Sequence, residues 1–140
     1  MFDISFNGTD KRYGEAGYTG EIIIGSFSES FFSNNTFFNE EDYKIHWKKA
    51  SKILIEKKKS YFLTMVYDPE KANFFTAWPC YQIKNIVYFQ NKIIFADRYC
   101  LRDVLSFDCD FGDIEFQNED GNKISTWETS FQSVLDFSRK

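Results

Sequence analysis

The sequence predicts an α+β fold: one domain in which helices pack on a twisted antiparallel sheet. Three observations carry that prediction. Between Tyr61 and Phe95, four runs rich in aromatic and branched residues are separated by short links of turn chemistry: Asp68-Pro69 to Asn73, Lys84-Asn85, and Gln90-Asn91-Lys92. Between Asn39 and Lys57, apolar residues recur at helical spacing. The length of 140 residues is that of a single domain, and such a chain buries enough surface to fold without disulfide or metal staples.

Taken in order, Met1–Gly20 is polar and punctuated by Gly8, Gly14, Gly17 and Gly20, and reads as loop or edge structure. Glu21-Ile22-Ile23-Ile24 reads as a short strand ending at Gly25. Ser26–Asn35, with its Ser and Asn residues and the pair Phe31-Phe32, reads as an irregular loop carrying aromatic contacts. The helix over Asn39–Lys57 has a complete start signal. Asn39 caps it, Asp42 supports the first turn, and Phe38 is placed to staple onto Tyr43. Glu40, Glu41 and Asp42 favour the positive end of its dipole, and Lys57–Lys59 the negative end. Tyr43, Trp47, Ala50 and Leu54 share one apolar stripe. Lys44, Lys48 and Lys52 fall on another face, as a solvated helix surface or a binding patch.

For the four runs of Tyr61–Phe95 the simplest topology is a meander. In the second run Phe74, Thr76, Trp78 and Cys80 point one way, and Phe75, Ala77, Pro79 and Tyr81 the other. Both sets are largely apolar, so each face needs a cover, whether a helix, a second sheet or a partner. Pro79 has no N–H to give a ladder and marks an edge or a bulge. Tyr99–Phe107 holds one or two helical turns. Asp113-Ile114-Glu115-Phe116 alternates like a half-exposed strand, Asn118–Asn122 is a turn centred on Asp120-Gly121, and Lys123–Trp127 reads as a last strand. Phe131, Val134, Leu135 and Ser138 mark a final helix over Ser130–Arg139, opened by Ser125 with Glu128 or by Thr129 with Gln132.

Composition narrows the function. The 17 Phe, 8 Tyr and 3 Trp exceed what a core of this size requires, which leaves aromatic rings for an interface. A net charge of −4 argues against general nucleic-acid binding and suits a basic partner. Cys80, Cys100 and Cys109 are odd in number, with no C-x-x-C spacing. They read as reduced thiols of a cytoplasmic protein. The chain start has neither the basic region nor the apolar run of a signal segment, and no stretch approaches membrane-span length. Any Ser-His-Asp or Cys-His arrangement would have to use His46, which reads as a helix-surface or partly buried residue without a catalytic role. Zinc ligands would have to come from widely separated segments. Asp108-Cys109-Asp110 begins like a calcium loop and Glu119 stands where its last ligand would, but Gly112 and Asp113 occupy positions that require a ligand and a glycine respectively. No P-loop or dinucleotide fingerprint is present. The expectation is therefore a non-enzyme without cofactor or metal.

From Asp103 to Asn122 the chain carries Asp103, Asp108, Asp110, Asp113, Glu115, Glu119 and Asp120, without one Lys or Arg. Three readings stand side by side: a solvated loop, a loop neutralised by Lys57–Lys59, and a docking surface for a basic protein.

Several strings resemble one family, the immunity proteins of bacterial contact-dependent growth inhibition systems. They are Asp42-Tyr43-Lys44-x-x-Trp47, Met65-x-Tyr67-Asp68-Pro69-Glu70-Lys71-x-Asn73-Phe74, Thr76-x-Trp78, Val87-Tyr88-x-Gln90-Asn91, Asp120-Gly121-x-Lys123-Ile124-Ser125-x-Trp127 and Ser133-Val134-Leu135-Asp136-Phe137. Order and spacing agree over roughly Asp42–Phe137, so within a single domain, 1–140, the part 42–137 is family-like and 1–41 is variable. The likeness is to an enterobacterial member paired with a toxin that cleaves ribosomal RNA. It implies a fold similar to the Whirly single-stranded-DNA-binding domains and no catalytic residues. The implied function is to bind and neutralise one cognate toxin nuclease domain by blocking its substrate-binding or active surface. The alternative is a single-stranded nucleic-acid-binding module, suggested by the Whirly-like fold and opposed by the charge. The residues expected to meet a basic toxin are Asp108, Asp110, Asp113, Glu115, Glu119 and Asp120, with Phe111 as an apolar anchor. Phe107, Phe111 and Phe116 interleave with the acids, and each suits the core at least as well as an anchor role.

Overall fold

The computed structural model describes residues 1–68 and 73–140, so most of the predicted link from Asp68-Pro69 to Asn73 lies outside the described residues. The chain begins not with a loop but with a sheet. Strands β1 (Phe2–Arg12), β2 (Glu15–Ile24) and β3 (Phe27–Asn34) form an antiparallel three-stranded sheet in that order. Of the two readings of Met1–Gly20, loop is overturned and edge holds, since β1 is an edge strand; the loop expected over Ser26–Asn35 is overturned by β3. Phe2 and Ile4 alternate with Asp3 and Ser5, and together with Ile22 and Ile24 they enter the core. The glycines are clearances rather than breakers. A Cβ on Gly17 would lie 2.5 Å from the Phe32 ring, and one on Gly20 2.5 Å from the Phe31 ring, so these positions let cross-strand aromatics lie over the backbone.

Helix α1 (Glu40–Lys57) has the predicted start. The Asp42 N–H donates to Asn39 Oδ1 at 2.9 Å and the Asn39 N–H donates to Asp42 Oδ2 at 3.0 Å, while the rings of Phe38 and Tyr43 meet at 5.2 Å. Its stripe of Tyr43, Trp47, Ala50 and Leu54 is buried. The same face closes the outer edge of strand β4 (Lys59–Val66) with side chains. Trp47 Nε1 donates to the Leu63 carbonyl at 2.7 Å, the Leu63 N–H donates to His46 Nε2 at 3.0 Å, and the Val66 N–H donates to Tyr43 Oη at 3.1 Å. Tyr43 Oη donates in turn to the Asn34 carbonyl at 2.9 Å, and Ser33 Oγ donates to the Thr64 carbonyl, so one helix ties β3 to β4. A strand edge that would otherwise invite pairing is thereby satisfied internally. His46 is 6% exposed, not a surface residue, because its ring serves as the acceptor for a buried N–H.

The second sheet adds β5 (Phe74–Ile83), β6 (Ile86–Phe89), β7 (Lys92–Phe95) and β8 (Trp127–Ser130), in the order β4-β5-β6-β8, with β7 also on β5. It is not the expected meander. β6 pairs with Cys80–Ile83 and β7 with Phe74–Ala77, both antiparallel to β5, so they run the same way along one flank. Gln90-Asn91 is a break in that line rather than a hairpin, and it lies where Pro79 cannot donate; the Gln90 N–H bonds the Pro79 carbonyl at 3.0 Å. The last strand starts at Trp127, and Lys123 makes only an isolated bridge to Gln117. Helix α3 (Phe131–Ser138) is capped by Ser130, whose Oγ accepts the Ser133 N–H at 3.2 Å, and by neither of the expected residues Ser125 and Thr129. One face of this sheet forms the main core. Phe2 lies 5.2 Å from Phe62, 5.0 Å from Phe89 and 5.2 Å from Phe137, and Phe27 stacks on Trp127 at 4.3 Å. Trp47 and Trp78 are 2% and 1% exposed, as their stripe and strand positions predict.

Candidate protein-binding face

The other face of the sheet is covered by the acidic stretch itself. Helix α2 (Leu101–Leu105) buries Val104, and the Tyr61 hydroxyl donates to the Val104 carbonyl at 2.6 Å. Phe107 follows with φ of 60°, a left-handed conformation that turns its ring inward, 4.9 Å from the His46 ring and 5.0 Å from Tyr61. Phe111 is wedged between Tyr61 and Tyr99, each at 5.0 Å, and Phe116 sits edge-on to Tyr88 at 5.6 Å. Phe107 and Phe111 therefore face the sheet while Phe116 stays 47% exposed beside Tyr88, and Asp108, Asp110, Asp113 and Glu115 are exposed. The expected strand over Asp113–Phe116 does not form. The Glu115 carbonyl instead accepts from Gln90 Nε2 at 2.8 Å, which pins the segment without a ladder.

Between this layer and the junction of α1 with β4 lies a groove of about 470 Å³, bounded by Lys57, Lys59, Tyr61, Asp108, Asp110 and Phe111. Lys59 Nζ stands 2.7 Å from Asp113 Oδ1 and 3.8 Å from Asp110 Oδ1. The hydrogen bond holds the Asp113 carboxyl below its usual range and the Lys59 ammonium above its own. Neutralisation by the lysines of 57–59 is thus real for Lys59, but Asp113 is 93% exposed, so the pair is solvent-screened and easily exchanged. Asp108 accepts from Ser106 Oγ at 2.8 Å and Asp110 from the Gly112 N–H at 2.8 Å, which fixes both carboxylates on the rim. Burial raises Tyr81 first of all, and Asp110, Asp113 and Glu115 add to it, pushing its phenol up to about 12. Those three acids thus share one electrostatic neighbourhood. Glu119 and Asp120 belong to a separate turn, where Asn118 Oδ1 accepts the N–H groups of Asp120 at 3.0 Å and Asn122 at 2.9 Å and Gly121 has φ of 79°.

The structure therefore brings together Asp108, Asp110, Asp113 and Glu115, sets Glu119 and Asp120 apart, and makes Phe111 a half-buried support more than a free anchor. Tyr61, Tyr99 and Gln90, which hold the layer in place, carry no local sequence signal, because their partners lie far along the chain. Among the described residues, no group of three or more His, Cys, Asp or Glu side chains is placed to hold a metal, and no helix is long and apolar enough to cross a membrane.

The sequence matches the family model for the CdiI N-terminal domain over residues 33–137. The chain belongs to the CdiI immunity-protein family. Immunity protein CdiI of Enterobacter cloacae subsp. cloacae is 32% identical over 131 residues, covering 89% of this chain and 86% of that protein. The solved CdiA-CT/CdiI toxin and immunity complex from Enterobacter cloacae contains a chain that superposes with a TM-score of 0.90 at 30% identity, covering 99% of this chain and 97% of that one. The family-model match spans α1 to α3, and the structural match extends through β1–β3 as well, so the CdiI fold includes the sheet that the sequence pattern conceals.

Proposed function

We propose that this chain protects its own cell by binding one toxin domain of the CdiA-CT kind and covering the surface with which that domain grips a nucleic-acid substrate. The observation that carries this reading is the exposed acidic layer of Asp108, Asp110, Asp113 and Glu115, backed by the packing of Phe107 and Phe111 on Tyr61. A surface that binds phosphates is basic, and a cluster of exposed carboxylates is complementary to it in charge. Like charges gathered this way repel one another in the free protein, and a basic partner offsets that repulsion and speeds encounter. Glu119 and Asp120, in their separate turn, add charge of the same sign. The reading places its action in the cytoplasm, where an incoming toxin meets its substrate. The test uses a purified toxin domain of the CdiA-CT kind cognate to this chain. The wild-type chain should bind it in a stable complex and stop its cleavage of RNA or DNA. A complex in which cleavage proceeds unchanged would refute substrate blocking, and cleavage of no nucleic acid by the free toxin would refute its assignment as a nuclease.

A further inference from the structure

The β1–β2 hairpin runs past the core it belongs to. Its pairing continues from Gly8–Thr19 to Arg12–Glu15, while every residue from Asn7 to Gly14 is exposed. The strands are joined by Tyr13 and Gly14 alone, with φ of 54° and 77°. Such a tight turn needs left-handed backbone at both positions, which Gly adopts freely and Asn or Asp adopts more readily than a bulky residue. Tyrosine is therefore a poor choice for the free hairpin. Nor does burial offset it, since Tyr13 is 96% exposed. A strained residue whose ring stands in solvent points to a bound state in which the ring is used.

At the tip Asp10 and Arg12 pair with each other. The Asp10 carboxylate accepts the Lys11 N–H at 2.7 Å and Arg12 Nε at 3.0 Å, and the Arg12 guanidinium lies 5.2 Å from the Phe32 ring, drawn back along the sheet. The apex thus presents a rigid phenol ring on a narrow stalk, with low conformational entropy to lose on burial. A convex tip of that kind fits a concave, apolar-walled cleft, the shape of an enzyme's ligand site, and does not fit a flat surface.

We propose that Tyr13 is a second anchor for the toxin, inserting into a cleft of the toxin domain while the acidic layer meets its basic surface. This rests on the proposed function. The two contacts divide the work: charge sets the rate of encounter, and the buried ring sets residence time.

The experiment compares wild type with Tyr13→Asn and Tyr13→Phe against a purified cognate toxin domain of the CdiA-CT kind. Asn suits the turn, so Tyr13→Asn should melt no lower than wild type, yet its Kd should weaken about tenfold or more, through faster dissociation at an unchanged association rate. Tyr13→Phe keeps the ring and should bind close to wild type. Equal toxin affinity of Tyr13→Asn and wild type overturns the anchor, and a lower melting temperature for Tyr13→Asn overturns the premise that tyrosine strains the free hairpin. If wild type itself does not bind the toxin, the functional reading falls and this contact falls with it.

Discussion

His46 should make the fold lose stability in mild acid. It is the one histidine of the chain, it is buried, and its Nε2 accepts the Leu63 N–H at 3.0 Å, so the ring must be neutral. Burial, with a smaller contribution from Lys49 and against the pull of the backbone hydrogen bond, lowers its pKa from 6.5 to about 3. The folded value is depressed, so the full contribution is present above the unfolded pKa and is lost as pH falls toward the folded one. Protonating His46 in the fold would leave two N–H groups facing each other at Leu63 and place a charge against the Phe107 ring. Between pH 7 and pH 5 an unfolded histidine takes up most of a proton that the folded one refuses, which costs about 2 kcal/mol. Asp10 and Asp113, whose carboxyls are held below the usual range by their hydrogen bonds, keep their charge through that window. Urea unfolding at the two pH values measures the loss directly. His46→Gln keeps an acceptor without a titration, so it should be less stable at pH 7 but nearly flat from pH 7 to pH 5. Equal pH sensitivity in His46→Gln and wild type would refute the assignment.

Other perturbations follow from the same structure. Trp47→Ala and Trp78→Ala should each destabilise by about 3–5 kcal/mol in urea unfolding, with Trp47 the costlier because the Leu63 carbonyl also loses its donor. Gly20→Ala should cost about 1–3 kcal/mol by the same assay, since the new methyl would meet the Phe31 ring at 2.5 Å and the Ser5 carbonyl at 2.6 Å. Lys59→Gln releases Asp110 and Asp113 from their internal cation; its melting temperature should barely change, while toxin association at low salt should accelerate roughly two- to fivefold.

Where a local rule settles an element, the sequence reads well. The capping box at Asn39, the stripe through Trp47 and the turn at Asp120-Gly121 each depend on residues a few positions apart, and each is present. Where the deciding contact is distant, it reads poorly. Gly17 and Gly20 look like loop punctuation until Phe31 and Phe32 are seen to cross them. Gln90-Asn91-Lys92 has the length of a hairpin, yet β5 is long enough to pair both β6 and β7 end to end. The acidic run was legible as a charge pattern, but its role as the second face's cover was not, because Phe107 and Phe111 are held by Tyr61, about fifty residues earlier. Lys59's partners Asp110 and Asp113 were foreseeable only as a general possibility among three neighbouring lysines.

The claim that the acidic layer docks the toxin is tested most directly by the toxin association rate of a variant with Asp108, Asp110, Asp113 and Glu115 all changed to Lys, measured by stopped flow across ionic strength. These acids are on the surface, and reversing them turns a net charge of −4 positive without touching the aromatic support. The account predicts a folded protein whose association is slower by about tenfold or more at low salt, with the gap narrowing as salt screens both proteins. A folded variant that associates at the wild-type rate at every salt concentration, and still protects cells from the toxin, would contradict it and place the interface elsewhere.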